Sequence, residues 1–295
     1  MRSVTNLFLL NIAFTDIVKA IVFVPFNYIP NLLYNYWPFG SFMCSLVGYI
    51  QVVAVLGGTI TMVAMSFDRF VAILHPLRPK LTFKGVGLIS LLVWIIAFTI
   101  PLPTALFSQL YVPPANDSHY CSLGYCMETM DISVKQIYSL FIMFVQYFIP
   151  LMVLAYTYGR IGYVIWIKTI PGEALQRRDE RIAYSKRKMI KMMIVVVVLY
   201  AVCWLPCHLL TIIGDANDAI YNWNDIKYVF NSAFLLAASH SCCNPIVYVW
   251  MNKRFMNGFK KIFMACLCCI KSGFKSRRGL IGQTSYSMSV RRHPY

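Results

Sequence analysis

Ionisable side chains stand inside long apolar runs of this 295-residue chain: Asp16, Lys19, the pair Asp68-Arg69, His208 and His240. A charge in hydrocarbon is costly, so such residues are read first as functional. Asp16 and Lys19 are three apart and share a helix face; the plainer reading is that they pair with each other. His208 and His240 taken singly also read as ordinary buried histidines, and Arg69, near the end of its run, can extend toward water. No bond-making machinery accompanies them: there is no Ser/His/Asp arrangement, no metal-ligand spacing and no phosphate-binding glycine loop. Neither a cofactor nor a metal is expected.

The elements that position these residues follow from composition. Hydrophobic residues make up 59% and charged residues 13% of the chain, about half the charged share of a soluble domain. A bilayer-spanning helix needs about 20 mostly apolar residues. Six segments qualify, at 4–33, 40–74, 83–107, 133–168, 189–213 and 226–250, interrupted by Pro25, Pro101, Pro103, Pro150, Pro206 and Pro245. Bases concentrate at 75–84, 169–188 and after 251, which the positive-inside rule assigns to the cytoplasm. Six of the eleven acids (Asp117, Glu128, Asp131, Asp215, Asp218, Asp225) lie in the opposite loops, with only Lys135 and Lys227 beside them. The net charge of +16 is therefore split among alternate loops, unlike the single basic face of a nucleic-acid binder. No nucleic-acid partner is expected, and the apolar start of the chain does not read as a cleaved signal.

The outward loops also carry Cys44, Cys121 and Cys126, on the side where disulfides persist. Asn116-Asp117-Ser118 makes Asn116 a candidate for glycosylation. Cys203, Cys207, Cys242 and Cys243 lie in spans and read as small buried residues. The stretch from Asn252 to Phe263 is basic and amphipathic, which suggests a helix lying on the membrane over 251–266. Cys266, Cys268 and Cys269 at its end are candidate palmitoylation sites. The segment 267–295 reads as a disordered cytoplasmic tail and 1–250 as the membrane bundle.

Several motifs now stand in order. Leu10-Asn11-Ile12-Ala13-Phe14-Thr15-Asp16, Trp37-Pro38-Phe39-Gly40 followed by Cys44, Asp68-Arg69-Phe70, Trp94, Pro150 with Tyr158, Cys203-Trp204-Leu205-Pro206 and Asn244-Pro245-Ile246-Val247-Tyr248 succeed one another along the chain. Together they resemble helices two to seven of the rhodopsin-class G-protein-coupled receptors. The resemblance implies an all-α membrane protein: a rhodopsin-like seven-helix bundle of which six transmembrane helices and an amphipathic eighth helix are present, the family's first helix having no counterpart. It also implies a multi-pass plasma-membrane location.

Within the family, an amine receptor's Asp is replaced by Gln51 and an opsin's Schiff-base Lys by Ala238. Gln51, Gln146 through Pro150 and Asp215 resemble neuropeptide Y-type receptors and their RYamide relatives, in which these positions serve amidated peptides carrying Arg. The resemblance thus implies a peptide ligand contacted by Gln51, Val55, Glu128, Gln146, Trp204, His208, Thr211, Asp215 and Phe230, with Tyr200, Trp204 and Thr59 as a packing switch. It implies coupling to a heterotrimeric G protein, with arrestin and receptor kinases as further partners, through Asp68, Arg69, Leu77, Tyr158, Asn244, Pro245 and Tyr248. It implies a disulfide between Cys44 and Cys126, leaving Cys121 free or as the alternative partner. Finally, it implies a buried polar site at Asp16, Lys19, His240 and Ser241. The family binds sodium at such an acid, but here Gly58 stands where Ser is common and His240 where Asn is common. Lys19 is close enough for its ammonium to replace the ion. A transporter would instead show inverted repeats and broken midplane helices, which the sequence lacks; a truncated, non-signalling receptor is the other alternative.

Overall fold

The structure, a computed structural model, describes residues 4–112, 124–167, 177–251 and 256–265. These hold six helices long and apolar enough to cross a membrane: Val4–Tyr34, Gly40–Leu74, Phe83–Phe107, Ile132–Ile165, Arg187–Ala216 and Ile226–Trp250. They follow the six segments expected from hydropathy within a few residues. The exception is the fifth, whose helix begins at Arg177, well before its apolar part. Apolarity marks where a helix crosses lipid, whereas backbone hydrogen bonding continues into water. Two units are distinguished, Met1–Pro245 and Ile246–Tyr295; the second contains the end of the last long helix and a short helical segment at 256–265.

In the first unit the buried faces mix apolar side chains with a few polar ones, and the exposed faces are largely apolar. Helix α1 (Val4–Tyr28) buries Phe8, Ile12, Thr15, Asp16, Lys19 and Phe23, a stripe at helical period. It exposes Leu10, Phe14, Ile17 and Ile21 on the face suited to lipid. Helix α2 (Gly40–Leu74) is the axis of this unit, touching α1, α3 (Phe83–Thr99), α4 (Leu102–Phe107) and the helix that follows Pro150. Its middle is lined with small residues, Ala54, Gly57, Gly58 and Thr59, and these let neighbouring backbones approach. A Cβ on Gly57 would touch the Trp94 ring at 3.4 Å. Val53, Leu56 and Ala97 pack there with Tyr49 and Trp94 around them.

Between α4 and the next span, strands β1 (Ser108–Tyr111) and β2 (Tyr125–Glu128) form an antiparallel hairpin with Leu110 opposite Cys126. A disulfide joins Cys126 to Cys44 at the head of α2, the pairing expected from the family. It anchors the strand that ends at Glu128 to the head of α2. Asn116 and Cys121 lie outside the described residues, as do Cys266, Cys268, Cys269 and the tail.

Helix α5 (Ile132–Met143) passes through a wider, π-helical turn, Phe144–Phe148, into α6 (Ile149–Gly162). The π turn inserts a residue into the helical register, so adjacent Gln146 and Tyr147 are both buried. Pro150 has no N–H to offer the Gln146 carbonyl four residues back. The Tyr200 hydroxyl donates to that carbonyl instead, at 2.6 Å. Tyr200 belongs to α7 (Arg177–Ala216), which is followed by a 3-10 turn (Asp218–Asn222) and α8 (Ile226–Met251).

Candidate functional site

Residues 200, 204, 208, 211 and 215 recur every three or four positions on α7 and so share one face. That stripe rises about 22 Å at 1.5 Å per residue. Its side chains are Tyr200, Trp204, His208, Thr211 and Asp215.

At the outer end Asp215 is buried, its side chain 5% exposed, and one carboxylate oxygen lies 2.9 Å from the Lys135 ammonium on α5. The other oxygen is buried with no hydrogen-bond partner among the described residues. The Gln136 side-chain amide donates to the Asp215 backbone carbonyl at 2.7 Å. Glu128 is close enough for Lys135 and Asp215 both to act on it: burial pushes its carboxyl up, Lys135 pulls it down and Asp215 pushes it further up. Tyr221 covers the rim, stacked on Phe230 at 5.9 Å between centroids. Its hydroxyl packs so closely on Gly214 that no Cβ fits there. The sequence sets Asp215 among outward acids with only Lys135 and Lys227 beside them, and the structure pairs it with Lys135.

Deeper, Tyr147 and His208 face each other at 5.0 Å and Trp204 lies 6.0 Å from His208. The Gln146 side-chain carbonyl, the Trp204 indole N–H and His208 Nε2 are all buried and have no hydrogen-bond partner among the described residues. Gln51 is half-buried on α2 and Val55, one turn below it, is fully buried. Thr211 lies beside this stretch and its hydroxyl donates to its own helix, to the Cys207 carbonyl at 3.0 Å.

The aromatic contacts continue inward. Tyr200 stacks obliquely on Trp204 at 6.1 Å and meets the His240 ring edge-on at 5.4 Å. The Thr59 hydroxyl donates to the Tyr200 hydroxyl at 3.2 Å, so Thr59, Tyr200 and Trp204 do lie together. Phe23 of α1 closes on Trp204 edge-on at 5.9 Å.

Beneath them Lys19 and Asp16 form an ion pair at 2.7 Å. The second oxygen of Asp16 accepts from the Asn244 side-chain amide at 2.8 Å. His240, 1% exposed, lies within electrostatic reach of both charges, and Ser241 is buried. A Cβ on Gly58 would fall 2.9 Å from the Thr15 hydroxyl and 3.9 Å from the Lys19 ammonium. The glycine therefore gives Lys19 the room a serine would take.

At the cytoplasmic end Arg69 pairs with Asp68 at 2.8 Å and also donates to the Thr5 hydroxyl on α1. Two groups thus hold Arg69; sequence reading missed Thr5, a short polar residue with no motif around it. Tyr158 is buried on α6 and Leu77 is 99% exposed. Pro245 ends the first unit, while Tyr248 belongs to the second.

Known proteins agree with this architecture. Residues 1–248 match the model of the family described as 7 transmembrane receptor (rhodopsin family). The RYamide receptor of Drosophila melanogaster is 39% identical over 278 residues, covering 92% of this chain and 60% of that one. The RYamide receptor of Tribolium castaneum is 40% identical over 275 residues, covering 91% and 74%. The human Substance-P receptor is 34% identical over 269 residues, covering 90% and 64%. The chain thus spans roughly three-fifths to three-quarters of the length of these relatives. It belongs to the rhodopsin family of seven-transmembrane receptors and is a multi-pass protein of the plasma membrane.

Proposed function

We propose that this chain is a receptor for a short peptide that ends in a carboxamide and carries arginine, and that it signals to heterotrimeric G proteins. The observation that carries this reading is the trio of buried polar atoms on Gln146, Trp204 and His208 with no hydrogen-bond partner among the described residues, set below a buried acid with one oxygen in the same condition. An orphaned buried polar group costs about 1–3 kcal/mol, which a ligand that satisfies all three recovers. A terminal carboxamide offers two N–H donors and a carbonyl acceptor, matching two acceptors and an indole donor. A carboxylate would leave the acceptors empty. Asp215 would take the guanidinium, with Glu128 and Phe230 around it. The names of the insect relatives, RYamide receptors, agree with such a ligand.

A ligand that seats on Trp204 and His208 presses on the aromatic series leading to Tyr200 and His240, and through it on the Asp16–Lys19–Asn244 layer. At the far end Arg69 would leave Asp68 and Thr5 to engage the G protein, with Leu77 and Tyr158 assisting. Arrestin and receptor kinases are further partners on this reading. Glycosylation at Asn116 and palmitoylation at Cys266, Cys268 and Cys269 complete it.

The test is nucleotide exchange on a panel of G proteins in membranes bearing the full chain, challenged with a short synthetic peptide ending in Arg-Tyr-amide. Exchange is expected with the amide and not with the free acid at equal concentration. Equal responses to the two would defeat the carboxamide assignment; no exchange with any amidated peptide would defeat the signalling role.

A further inference from the structure

The outer cluster has two acids, Asp215 and Glu128, and one base, Lys135. Lys135 lies on α5 and Asp215 on α7, so their ion pair ties the outer ends of two helices together. The two partners are unequally placed. The Asp215 side chain is 5% exposed and that of Lys135 is 32% exposed. Asp215 is thus a fixed, desolvated anion and Lys135 a flexible, partly hydrated cation that reaches in from the rim. Lys135 uses one carboxylate oxygen only, and the second is buried with no hydrogen-bond partner among the described residues. A single ammonium satisfies a carboxylate at a point, whereas a planar guanidinium bonds both oxygens at once.

We propose that Lys135 is a built-in stand-in for the ligand's cation: it holds Asp215 in the unliganded receptor, is displaced by a guanidinium, and is received by Glu128. This rests on the reading that Asp215 takes the peptide's arginine.

Charge balance supports the exchange. Before binding, two acids share one cation, and Glu128 lies within reach of Lys135 without being its main partner. Burial pushes the Glu128 carboxyl up, and the Asp215 charge adds to that, so Glu128 gains from a cation brought nearer. After binding, two acids face two cations and neither carboxylate is left with a shared partner. A neutral or anionic peptide has nothing to offer Asp215 that Lys135 does not already supply. Such a peptide therefore leaves the lysine in place and gains nothing from the acid, a specificity device that works through an occupied acceptor. It also separates the unliganded mouth, closed by a bond from α5 to α7, from the liganded one.

The test is competition binding on membranes carrying the full chain, with the Arg-Tyr-amide peptide and its counterpart in which citrulline, neutral but the same shape, replaces arginine. Lys135→Gln is expected to bind the Arg peptide roughly three- to tenfold more tightly, the scale of removing a partly exposed competing pair, and the citrulline peptide as before. Lys135→Arg should not gain affinity. Glu128→Gln should weaken the Arg peptide more in the native background than once Lys135 is Gln, because only the native protein has a displaced lysine to receive. Lys135→Met provides a second charge-free variant. Unchanged or weaker Arg-peptide binding in both charge-free variants would overturn the proposal, as would an equal gain for the citrulline peptide. Asp215→Asn separates the two layers: if it leaves the Arg-over-citrulline preference intact, the reading beneath has failed. If it abolishes the preference while Lys135→Gln gains nothing, only the present inference has failed.

Discussion

The Lys19 ammonium sits 2.7 Å from one oxygen of Asp16 while the Asn244 amide donates to the other at 2.8 Å. The carboxylate is thereby satisfied from both sides, by a tethered cation and a neutral donor, with Gly58 leaving the space. The family resemblance implies a sodium ion beside this acid, and the Lys19 ammonium stands there instead. Agonist affinity is accordingly expected to be the same in sodium and in a large organic cation at equal ionic strength. Lys19→Met should acquire sodium dependence. Strong sodium dependence in the native protein would show that Asp16 is free to bind the ion.

The same pair sets a stability pattern. Both side chains are buried, so removing one partner strands a charge at a cost of about 3–5 kcal/mol. Asp16→Asn and Lys19→Met should each lower the thermal midpoint of detergent-solubilised receptor, and the double variant should recover much of the loss. Simple addition of the two losses would show that the charges do not depend on each other.

How far the sequence reveals these features depends on how local they are. Asp16 and Lys19 are one helical turn apart, so their pairing is legible from spacing alone. The six spans are legible because hydropathy is summed over many residues. Lys135 and Asp215 lie far apart in the chain, and neither sits in a distinctive motif; only the scarcity of bases among the outer acids hints at their pairing. Arg69 and Thr5 meet across two helices for the same reason without a local signal. The π turn at Phe144–Phe148 is also invisible, since burying adjacent Gln146 and Tyr147 breaks the periodicity on which helix reading relies. Pro150 marks a disturbance there but does not say which residues it turns inward.

Tyr200 donates to the Gln146 carbonyl that Pro150 cannot serve. Tyr200→Phe should therefore cost about 1–3 kcal/mol of stability, the scale of an unmet buried acceptor, and should weaken ligands that contact Gln146. Thermal unfolding with and without the amidated peptide reads both. A variant with native stability and native affinity would mean that the carbonyl finds another donor.

The disulfide closes a loop with a sequence separation of 82, which chain entropy values at about 4–5 kcal/mol. Cys44→Ser and Cys126→Ser should lower the thermal midpoint equally, and the double variant no further. Peptide mapping should find these two cysteines joined; Cys44 joined to Cys121 would contradict the structure.

Glu128 gives a pH dependence of defined sign. Burial raises its folded carboxyl above the unfolded value of about 4.3, with Lys135 opposing and Asp215 adding. A group raised on folding stabilises below its unfolded value and loses that contribution as pH rises through the folded one. Receptor stability should fall as pH rises above about 4.3 by an amount that Glu128→Gln removes. An unchanged slope in that variant would assign the pH dependence to other groups.

The central claim is that Asp215 holds the arginine of an amidated peptide, and a double-mutant cycle on that contact tests it most directly. Affinities are measured for the Arg-Tyr-amide peptide and its citrulline counterpart on the native receptor and on Asp215→Ala. A desolvated charge pair is worth about 2–5 kcal/mol when broken, so either change alone should weaken binding at least about tenfold. The two together should cost little more than one. Losses that simply add would show that the arginine and Asp215 do not touch, and would contradict the account.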